Sequence, residues 1–151
     1  MTKSPTPPRL AVVVSRFNPE VTEGLLAGTR RELDERGVPL ADADVFHAPG
    51  AFEIPLLAQT LAKTGRYAGV ICLGCVIKGD TAHFEFISLG AATGLMQATL
   101  ATGVPITFGI LTTYTDEQAL LRSRDDAANK GREAAAACVE ALATIVKIRA
   151  A

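Results

Sequence analysis

The stretch V-I-C-L-G-C-V-I-K-G-D-T-A-H-F-E-F-I-S, residues 70–88, decides how this chain folds. Its first four residues, 70–73, form a continuous apolar run, which is typical of a strand buried on both faces. We expect Gly74 to end this strand and a helix to begin near Asp80, with His83 in its first turn. A strand that turns into a helix presents free backbone N–H groups and the positive end of the helix dipole, where phosphate commonly binds. The stretch therefore predicts a phosphate-binding turn beside an imidazole.

The composition indicates a globular domain and excludes two classes of partner. The chain has 151 residues, 48% hydrophobic and 21% charged, with a net charge of -1. This balance gives no basic surface for nucleic acid or an anionic membrane. No apolar run reaches the roughly 20 residues that a membrane span needs, and the N-terminus lacks the apolar core of a signal peptide. We therefore expect a cytoplasmic protein with an extended, proline-rich arm at 1–9 and a single domain at 10–151.

Two of the three cysteines, Cys72 and Cys75, form a C-x-x-C pattern. Such a pattern occurs in redox pairs and in zinc sites, and the H-x-E at residues 83–85 adds the other half of a zinc deaminase signature. That signature, however, has its histidine upstream of the cysteines, and here the order is reversed. Cys72 also lies inside the apolar run, where cysteine behaves as a small hydrophobic residue. We therefore predict no metal site.

Strands alternate with helices along the whole chain, which predicts a parallel sheet with helices on both faces. Asn18 is expected to cap the first helix, and Thr115 with Gln118 to form a capping box for a short one. The predicted strands are 10–14, 44–47, 70–73 and 105–111, and the predicted helices are 19–36, 55–65, 81–101, 115–122 and 132–148.

Ligands bind such sheets beyond the carboxyl ends of the strands. This rule selects four loops, which contain most of the unusual residues of the chain: 15–18, 48–53, 74–83 and 112–115.

Several residues in or near these loops have two interpretations. Phe17 either packs against its own helix as a hydrophobic staple or stacks on a flat ligand. Glu53 either favours a helix N-terminus or accepts hydrogen bonds from ligand hydroxyls. His83 is a surface residue unless a substrate binds at the turn, where its imidazole would move protons. His47 has no comparable partner and is interpreted as structural, and Arg122 and Lys130 have the spacing of a solvated face.

Five segments together resemble the lumazine synthase family, in its order and spacing, over nearly all of the chain after Leu10. They are F-N-P-E-V-T-E-G-L-L-A-G, A-P-G-A-F-E-I-P, L-G-C-V-I-K-G-D-T-A-H-F, P-I-T-F-G-I-L-T-T and N-K-G-R-E-A-A. The resemblance implies a flavodoxin-like three-layer α/β/α sandwich with a four-stranded parallel sheet. It also implies the condensation of 5-amino-6-(D-ribitylamino)uracil with 3,4-dihydroxy-2-butanone 4-phosphate, without a metal or organic cofactor.

The resemblance also implies a role for each matching residue. His83 would transfer protons, and Phe108, Arg122 and Lys130 would come from the adjacent subunit, with Arg122 on the phosphate and Lys130 on the pyrimidine. This replaces the interpretation of Arg122 and Lys130 as part of a solvated face. The residues expected to bind substrate are Phe17, Asn18, Ala51, Phe52, Glu53, Val76, Ile77, Gly79, Asp80, Thr81 and Phe108.

The chain departs from the family pattern at two places. Asp80 puts a carboxylate in the phosphate turn, where the family commonly has a small residue, and this carboxylate is free to cap the helix. Residues 123–128 lack the glycines usual in capsid-forming members, so the assembly is a homopentamer or a larger assembly of pentamers.

The expected partners are the two small substrates and copies of the same chain, with riboflavin synthase as a further candidate. Two alternatives remain open at this point: a non-catalytic flavin- or lumazine-binding shell protein on the same scaffold, and a flavodoxin-type electron carrier.

Overall fold

Four parallel strands form one sheet in the order β2-β1-β3-β4 in the computed structural model, which describes residues 6–151. This is the flavodoxin-like strand order, in which the sheet is wound in both directions from β1 and β3. The strands are β1 (Leu10–Ser15), β2 (Val45–Ala48), β3 (Gly69–Ile77) and β4 (Ile106–Thr113). The helices are α1 (Pro19–Glu35), α2 (Ile54–Lys63), α3 (His83–Thr102), α4 (Asp116–Leu121) and α5 (Lys130–Ala150).

The helices cover both faces of the sheet, as the alternating pattern predicted. One core lies between the sheet and helices α2 and α3, with Ala58, Ala91 and Leu95 among its helical members. The other lies between the sheet and helices α1 and α5, with Leu25 and Ala135 among its members. Both faces of the central strands are therefore buried, which explains their continuous apolar sequence. The predicted three-layer α/β/α fold is confirmed.

Strand β3 is longer than predicted, because Gly74 does not end it. The strand continues to Ile77, and its last four residues pair with residues 110–113 of β4. A Cβ atom on Gly74 would lie 3.1 Å from the Ser15 Oγ and 3.2 Å from the Ile54 Cδ1 atom. The glycine is thus required by close packing within the sheet, and the ladder with β4 supplies the hydrogen bonds that carry the strand past it.

Asn18 does not cap α1 with its side chain, so that prediction was wrong. The residue has left-handed backbone angles, φ 59° and ψ 60°, which asparagine tolerates better than most residues. Its backbone carbonyl accepts the first hydrogen bonds of the helix, from the N–H groups of Val21 and Thr22. Its side-chain Nδ2 donates instead to the carbonyl oxygen of Cys75, at 3.1 Å. Asn18 therefore joins the β1–α1 loop to the end of β3.

Two other helices begin at different residues from those predicted. Helix α3 begins at His83, after Ala82, which has no capping side chain. The Oγ1 of Thr81 accepts the N–H of His83, so Asp80 does not have the capping role that it was free to take. Helix α5 begins at Lys130, two residues earlier than predicted. The Oδ1 of Asn129 caps it there by accepting hydrogen bonds from the N–H groups of Gly131 and Arg132.

The capping box at α4 is present in altered form. The Thr115 Oγ1 accepts a hydrogen bond from the Gln118 N–H at 3.1 Å, as predicted. The Gln118 side chain, however, accepts from the N–H of Tyr114 at 2.9 Å. Of the arm expected at 1–9, residues 1–5 lie outside the described part of the chain, and residues 6–9 have no regular secondary structure.

Candidate active site

A cavity of about 680 Å³ opens at the carboxyl ends of β1, β2 and β3. Three segments form it: the loop after β1, residues 49–53 after β2, and the end of β3 with the first turns of α3. It lies where the winding of the sheet changes direction, which is the expected ligand position in this class of fold. Its lining residues are Phe17, Pro49, Gly50, Ala51, Phe52, Glu53, Cys75, Val76, Ile77, Gly79, Thr81, His83, Phe84 and Ile87.

The walls of this cavity are mostly apolar and include two exposed aromatic rings. Phe17 is 68% exposed and Phe52 is 60% exposed. A ring as exposed as that of Phe17 is not packed against its own helix, which removes the staple interpretation. Val76 and Ile77 form the facing wall at the end of β3. The arrangement suits a flat ring inserted between an aromatic side chain and the end of a strand.

The polar groups of the cavity are free to bind a ligand. Within residues 6–151, the carboxylate of Glu53 accepts no hydrogen bond, and it does not cap α2. The N–H groups of residues 79–82 have no acceptor in the same part of the chain, while the Oγ1 of Thr81 accepts the N–H of His83 at 3.4 Å. His83 is the first residue of α3, and its side chain is exposed. Free N–H groups at the start of a 20-residue helix favour an anion.

Three other predicted site residues lie together in a second, separate cavity of about 270 Å³. Phe108, Arg122 and Lys130 line it with the outer part of β4, the last strand of the sheet. The Arg122 guanidinium donates through Nη1 to the Gln118 carbonyl at 3.0 Å, and it has no carboxylate within 4 Å in the described chain. It is thus a cation available to an anion from outside.

The two cations of this second cavity have a fixed spacing. The N–H of Lys130 donates to the carbonyl of Arg122 at 2.9 Å, which closes the loop between α4 and α5. Asn129 is fully buried, and its Nδ2 donates to the carbonyls of Gly24 and Arg124 at 3.1 and 2.8 Å. Lys130 itself pairs with Glu133 at 2.7 Å, with both side chains substantially exposed. Exposed pairs of this kind contribute only about 0–1 kcal/mol, so a ligand readily competes for the ammonium group.

The chain therefore divides the predicted residues between two cavities. Asn18 and Asp80 line neither of them. Asn18 faces a third hollow beside α4, with its amide on Cys75, and Asp80 is exposed in the turn. The first cavity also contains Phe84 and Ile87, which sequence reasoning did not select. Their spacing of three on an apolar helix face was the available signal, since such residues point to one side.

The cysteines do not form a site. Cys72 and Cys75 point to opposite faces of β3, because side chains alternate along a strand and these two are an odd number of residues apart. Burial raises the pKa of Cys75 to about 11, so its thiol stays protonated at neutral pH. Across residues 6–151, no group of three or more His, Cys, Asp or Glu side chains could hold a metal ion. No helix in those residues is long and apolar enough to cross a membrane.

Comparison with known proteins gives this arrangement a family. Residues 7–145 match the family described as 6,7-dimethyl-8-ribityllumazine synthase. A protein of Caulobacter vibrioides named 6,7-dimethyl-8-ribityllumazine synthase 1 is 67% identical over 145 residues, covering 96% of this chain and 95% of its own. A 6,7-dimethyl-8-ribityllumazine synthase of Salinibacter ruber is 50% identical, covering 91% and 88%. One of Deinococcus radiodurans is 46% identical, covering 87% and 85%.

The Caulobacter vibrioides protein matches this chain almost from end to end. With a fold of the expected strand order and a family match over residues 7–145, the chain belongs to the 6,7-dimethyl-8-ribityllumazine synthase family.

Proposed function

We propose that this protein condenses 5-amino-6-(D-ribitylamino)uracil with 3,4-dihydroxy-2-butanone 4-phosphate to 6,7-dimethyl-8-ribityllumazine, with release of phosphate and water. This is the penultimate step of riboflavin biosynthesis. The observation that carries the proposal is the first cavity. It joins an aromatic ring, a free carboxylate, a turn of free N–H groups and an imidazole at one edge of the sheet.

The pyrimidine substrate binds in the apolar part of the first cavity. Phe17 stacks on the ring, and the backbone of Val76 and Ile77 contacts its edge. The ribityl chain runs along residues 51–53, where the carboxylate of Glu53 accepts hydrogen bonds from its hydroxyls. The free carboxylate, the exposed aromatic ring and the open strand end support these roles. Asn18, beside Phe17 in the same loop, contributes by holding this loop to the end of β3 through its hydrogen bond to the Cys75 carbonyl.

The phosphate of the second substrate binds at the turn formed by residues 79–82. Gly79 and Thr81 line the cavity, and their N–H groups have no acceptor within the described chain. Asp80 brings its own N–H to the turn but also a negative charge, which weakens anion binding unless a cation is near. Arg122 of a neighbouring subunit supplies that cation, since a guanidinium matches a phosphate dianion in charge and geometry.

His83 is the proton-transfer residue of the proposed site. It stands at the rim of the cavity, immediately after the phosphate turn. Condensation of an amine with a ketone and loss of phosphate both require protons to move at nitrogen and oxygen, and an imidazole does this near neutral pH. Holding two reactants in one cavity supplies a further part of the acceleration, because a bimolecular step becomes effectively unimolecular.

The complete site requires two copies of the chain. Phe108, Arg122 and Lys130 lie in a different cavity from His83, and Phe108 is 46% exposed on β4. Head-to-tail contacts that close a ring place one copy's second cavity against the next copy's first cavity, and we propose a pentamer or an assembly of pentamers.

A row of exposed apolar side chains on α3 supports such an assembly, because large exposed apolar patches mark interfaces. The row consists of Phe86, Leu89, Met96 and Leu100.

Three reduced and buried cysteines fit the cytoplasm as the compartment. Riboflavin synthase is the proposed protein partner, and co-purification tests it.

Mixing the two substrates with the purified protein tests the function directly. We expect the fluorescence of the lumazine product to rise above the rate without protein. A non-catalytic binding protein would bind the product without forming it, and an electron carrier would bind flavin mononucleotide as a monomer. Light scattering on the same sample measures the assembly, and a stable monomer would contradict the two-copy site.

Replacing Arg122 tests the proposed phosphate contact. We expect Arg122→Ala to raise the KM for the butanone phosphate, with a smaller effect on the KM for the pyrimidine, because it removes the guanidinium that pairs with the phosphate. The guanidinium has no carboxylate partner in the described chain, so its removal leaves no charge unpaired. An unchanged KM for the phosphorylated substrate would remove Arg122 from the site.

A further inference from the structure

Tyr114 lies against the outer side of the phosphate turn, in the loop between β4 and α4. Its ring centroid is 6.0 Å from that of Phe84, with the two rings tilted by 43°. The Nζ of Lys78 lies 5.7 Å from the same tyrosine centroid. Lys78 directly precedes residues 79–82 and Phe84 follows them, so one aromatic ring contacts both ends of the turn. We refer to Lys78, Phe84 and Tyr114 as the Tyr114 cluster.

The backbone around Tyr114 is fixed on both sides. Its own N–H donates to the Gln118 Oε1 at 2.9 Å, within the first turn of α4. The N–H of Lys78 donates to the Thr113 carbonyl at 2.9 Å, which extends the β3–β4 ladder by one bond. The ring is nevertheless 66% exposed, so the hydrophobic core does not require an aromatic residue at this position. The ring interacts with Lys78 and Phe84, the residues on either side of the turn.

The turn itself has little else to hold it. Residues 79–82 are exposed, Gly79 has no atom within 4 Å of the position of a Cβ, and their N–H groups have no acceptor within residues 6–151. Fixing a turn of exposed residues around a bound anion costs conformational entropy. Contacts that already fix both of its ends reduce that cost.

We propose that Tyr114 is a positioning residue for the phosphate of the second substrate, acting through Lys78 and Phe84 on the turn between them. The inference rests on the proposed function, because it concerns the turn assigned to the phosphate. Lys78 has a second effect in this arrangement. Its ammonium group has no carboxylate within 4 Å in the described chain, and the tyrosine ring keeps it beside the turn, where it offsets the charge of Asp80.

The test compares the affinity for phosphate with the affinity for the pyrimidine in variants of the assembled protein. Three quantities are measured: the KM for each substrate and the inhibition constant of inorganic phosphate. Tyr114→Ala removes the ring, Tyr114→Phe keeps the ring and removes only the hydroxyl, and Lys78→Met removes the cation. Lys147→Met is the matched control, because it removes one exposed cation from the last turn of α5, far along the chain from the turn.

We expect Tyr114→Ala to raise the KM for the butanone phosphate and the phosphate inhibition constant about tenfold, which corresponds to losing one aromatic pair and one cation–π contact. Lys78→Met should raise both at least about threefold, because it removes the cation–π contact and the charge that offsets Asp80. Tyr114→Phe and Lys147→Met should match the wild-type protein, and the KM for the pyrimidine should not change in any variant.

Three results would overturn the inference. The first is wild-type phosphate inhibition in Tyr114→Ala. The second is an equal loss for both substrates, which would indicate general damage to the fold. The third is a defect in Tyr114→Phe as large as that in Tyr114→Ala, because the hydroxyl and not the ring would then matter. If Tyr114→Ala does not fold, Lys78→Met decides by the same measurements. A wild-type protein that forms lumazine but is not inhibited by inorganic phosphate would refute the assignment of the turn to phosphate and leave the proposed function standing. A protein that forms no lumazine from the two substrates would refute the proposed function.

Discussion

Activity at a low concentration of butanone phosphate should return when two defective variants of this protein assemble together, provided that each is defective in a different cavity. His83→Ala damages the first cavity, which is formed by β1, β2, β3 and α3, and Arg122→Ala damages the second cavity, which lies on β4. If each complete site combines the first cavity of one copy with the second cavity of its neighbour, the two defects need not fall in the same site. Mixed assemblies then contain some sites with no defect at all.

The recovered fraction follows from this division. In assemblies of equal amounts of the two variants, half of the first cavities have an intact His83, and half of the neighbouring second cavities have an intact Arg122. Independent mixing around a closed ring therefore makes about one quarter of the sites wild type. At a butanone phosphate concentration below the KM of Arg122→Ala, we expect the co-assembled sample to have about one quarter of the wild-type rate per chain, well above the mean of the two parents.

The assay is lumazine fluorescence on protein co-expressed at equal levels, compared with the two parents mixed after assembly. The matched control combines His83→Ala with Phe17→Ala. Both of these residues line the first cavity, so every site receives one defect or the other and no activity should return. If His83→Ala and Arg122→Ala recover no more activity than this control, the two cavities do not form one site between neighbouring copies, and the composite site is refuted.

Three further predictions concern single variants. His83→Ala should lower kcat by about 10²–10⁴-fold with little change in either KM, because it removes proton transfer and leaves binding intact; steady-state rates that match the wild type would contradict this role. Gly131→Ala should lower the free energy of unfolding, measured in urea, by about 1–3 kcal/mol, because its new methyl group would overlap the carbonyl of Leu25 where α5 packs on α1. A variant of wild-type stability would show that α1 and α5 can move apart by enough to accept a methyl group at no cost. Asp44→Asn should lower stability by about 1.5–3 kcal/mol at neutral pH, since Asp44 is buried and accepts hydrogen bonds from Arg9 and Tyr67. The Arg9 guanidinium holds the pKa of Asp44 below its ordinary value of 3.8, so the carboxylate stabilises the fold above that pH and loses the effect as the pH falls through the folded-state pKa. Urea unfolding at several pH values should show the gap between wild type and variant shrinking below about pH 4, and a gap independent of pH would contradict the ion pair.

Local patterns in the sequence were sufficient for the order of strands and helices. Each predicted element is present, because the buried strands of a parallel sheet are continuous apolar runs and the helices between them have one apolar face. The rule that ligands bind beyond the carboxyl ends of strands then selected the loops that line the first cavity. The position of His83 after a strand-to-helix turn also needed no more than the neighbouring residues.

Contacts between residues far apart in the chain decided the rest. Gly74 is the kind of residue that ends a strand by local rules, yet pairing with β4 carries β3 on to Ile77. Asn18 has the sequence of a helix cap, but its amide reaches Cys75, 57 residues away. Tyr114 gave no signal in the sequence, because its contacts with Lys78 and Phe84 join segments that are far apart in the chain.

The sequence by itself determined the order and approximate position of the strands, helices and loops, since these depend mainly on interactions within a few residues. Only the tertiary structure decided that His83 and Arg122 line separate cavities of one chain. The physical reason is that this separation depends on where β4 and the α4–α5 loop pack relative to β3. Such packing is fixed by the shape of the whole core and leaves no local trace at either residue.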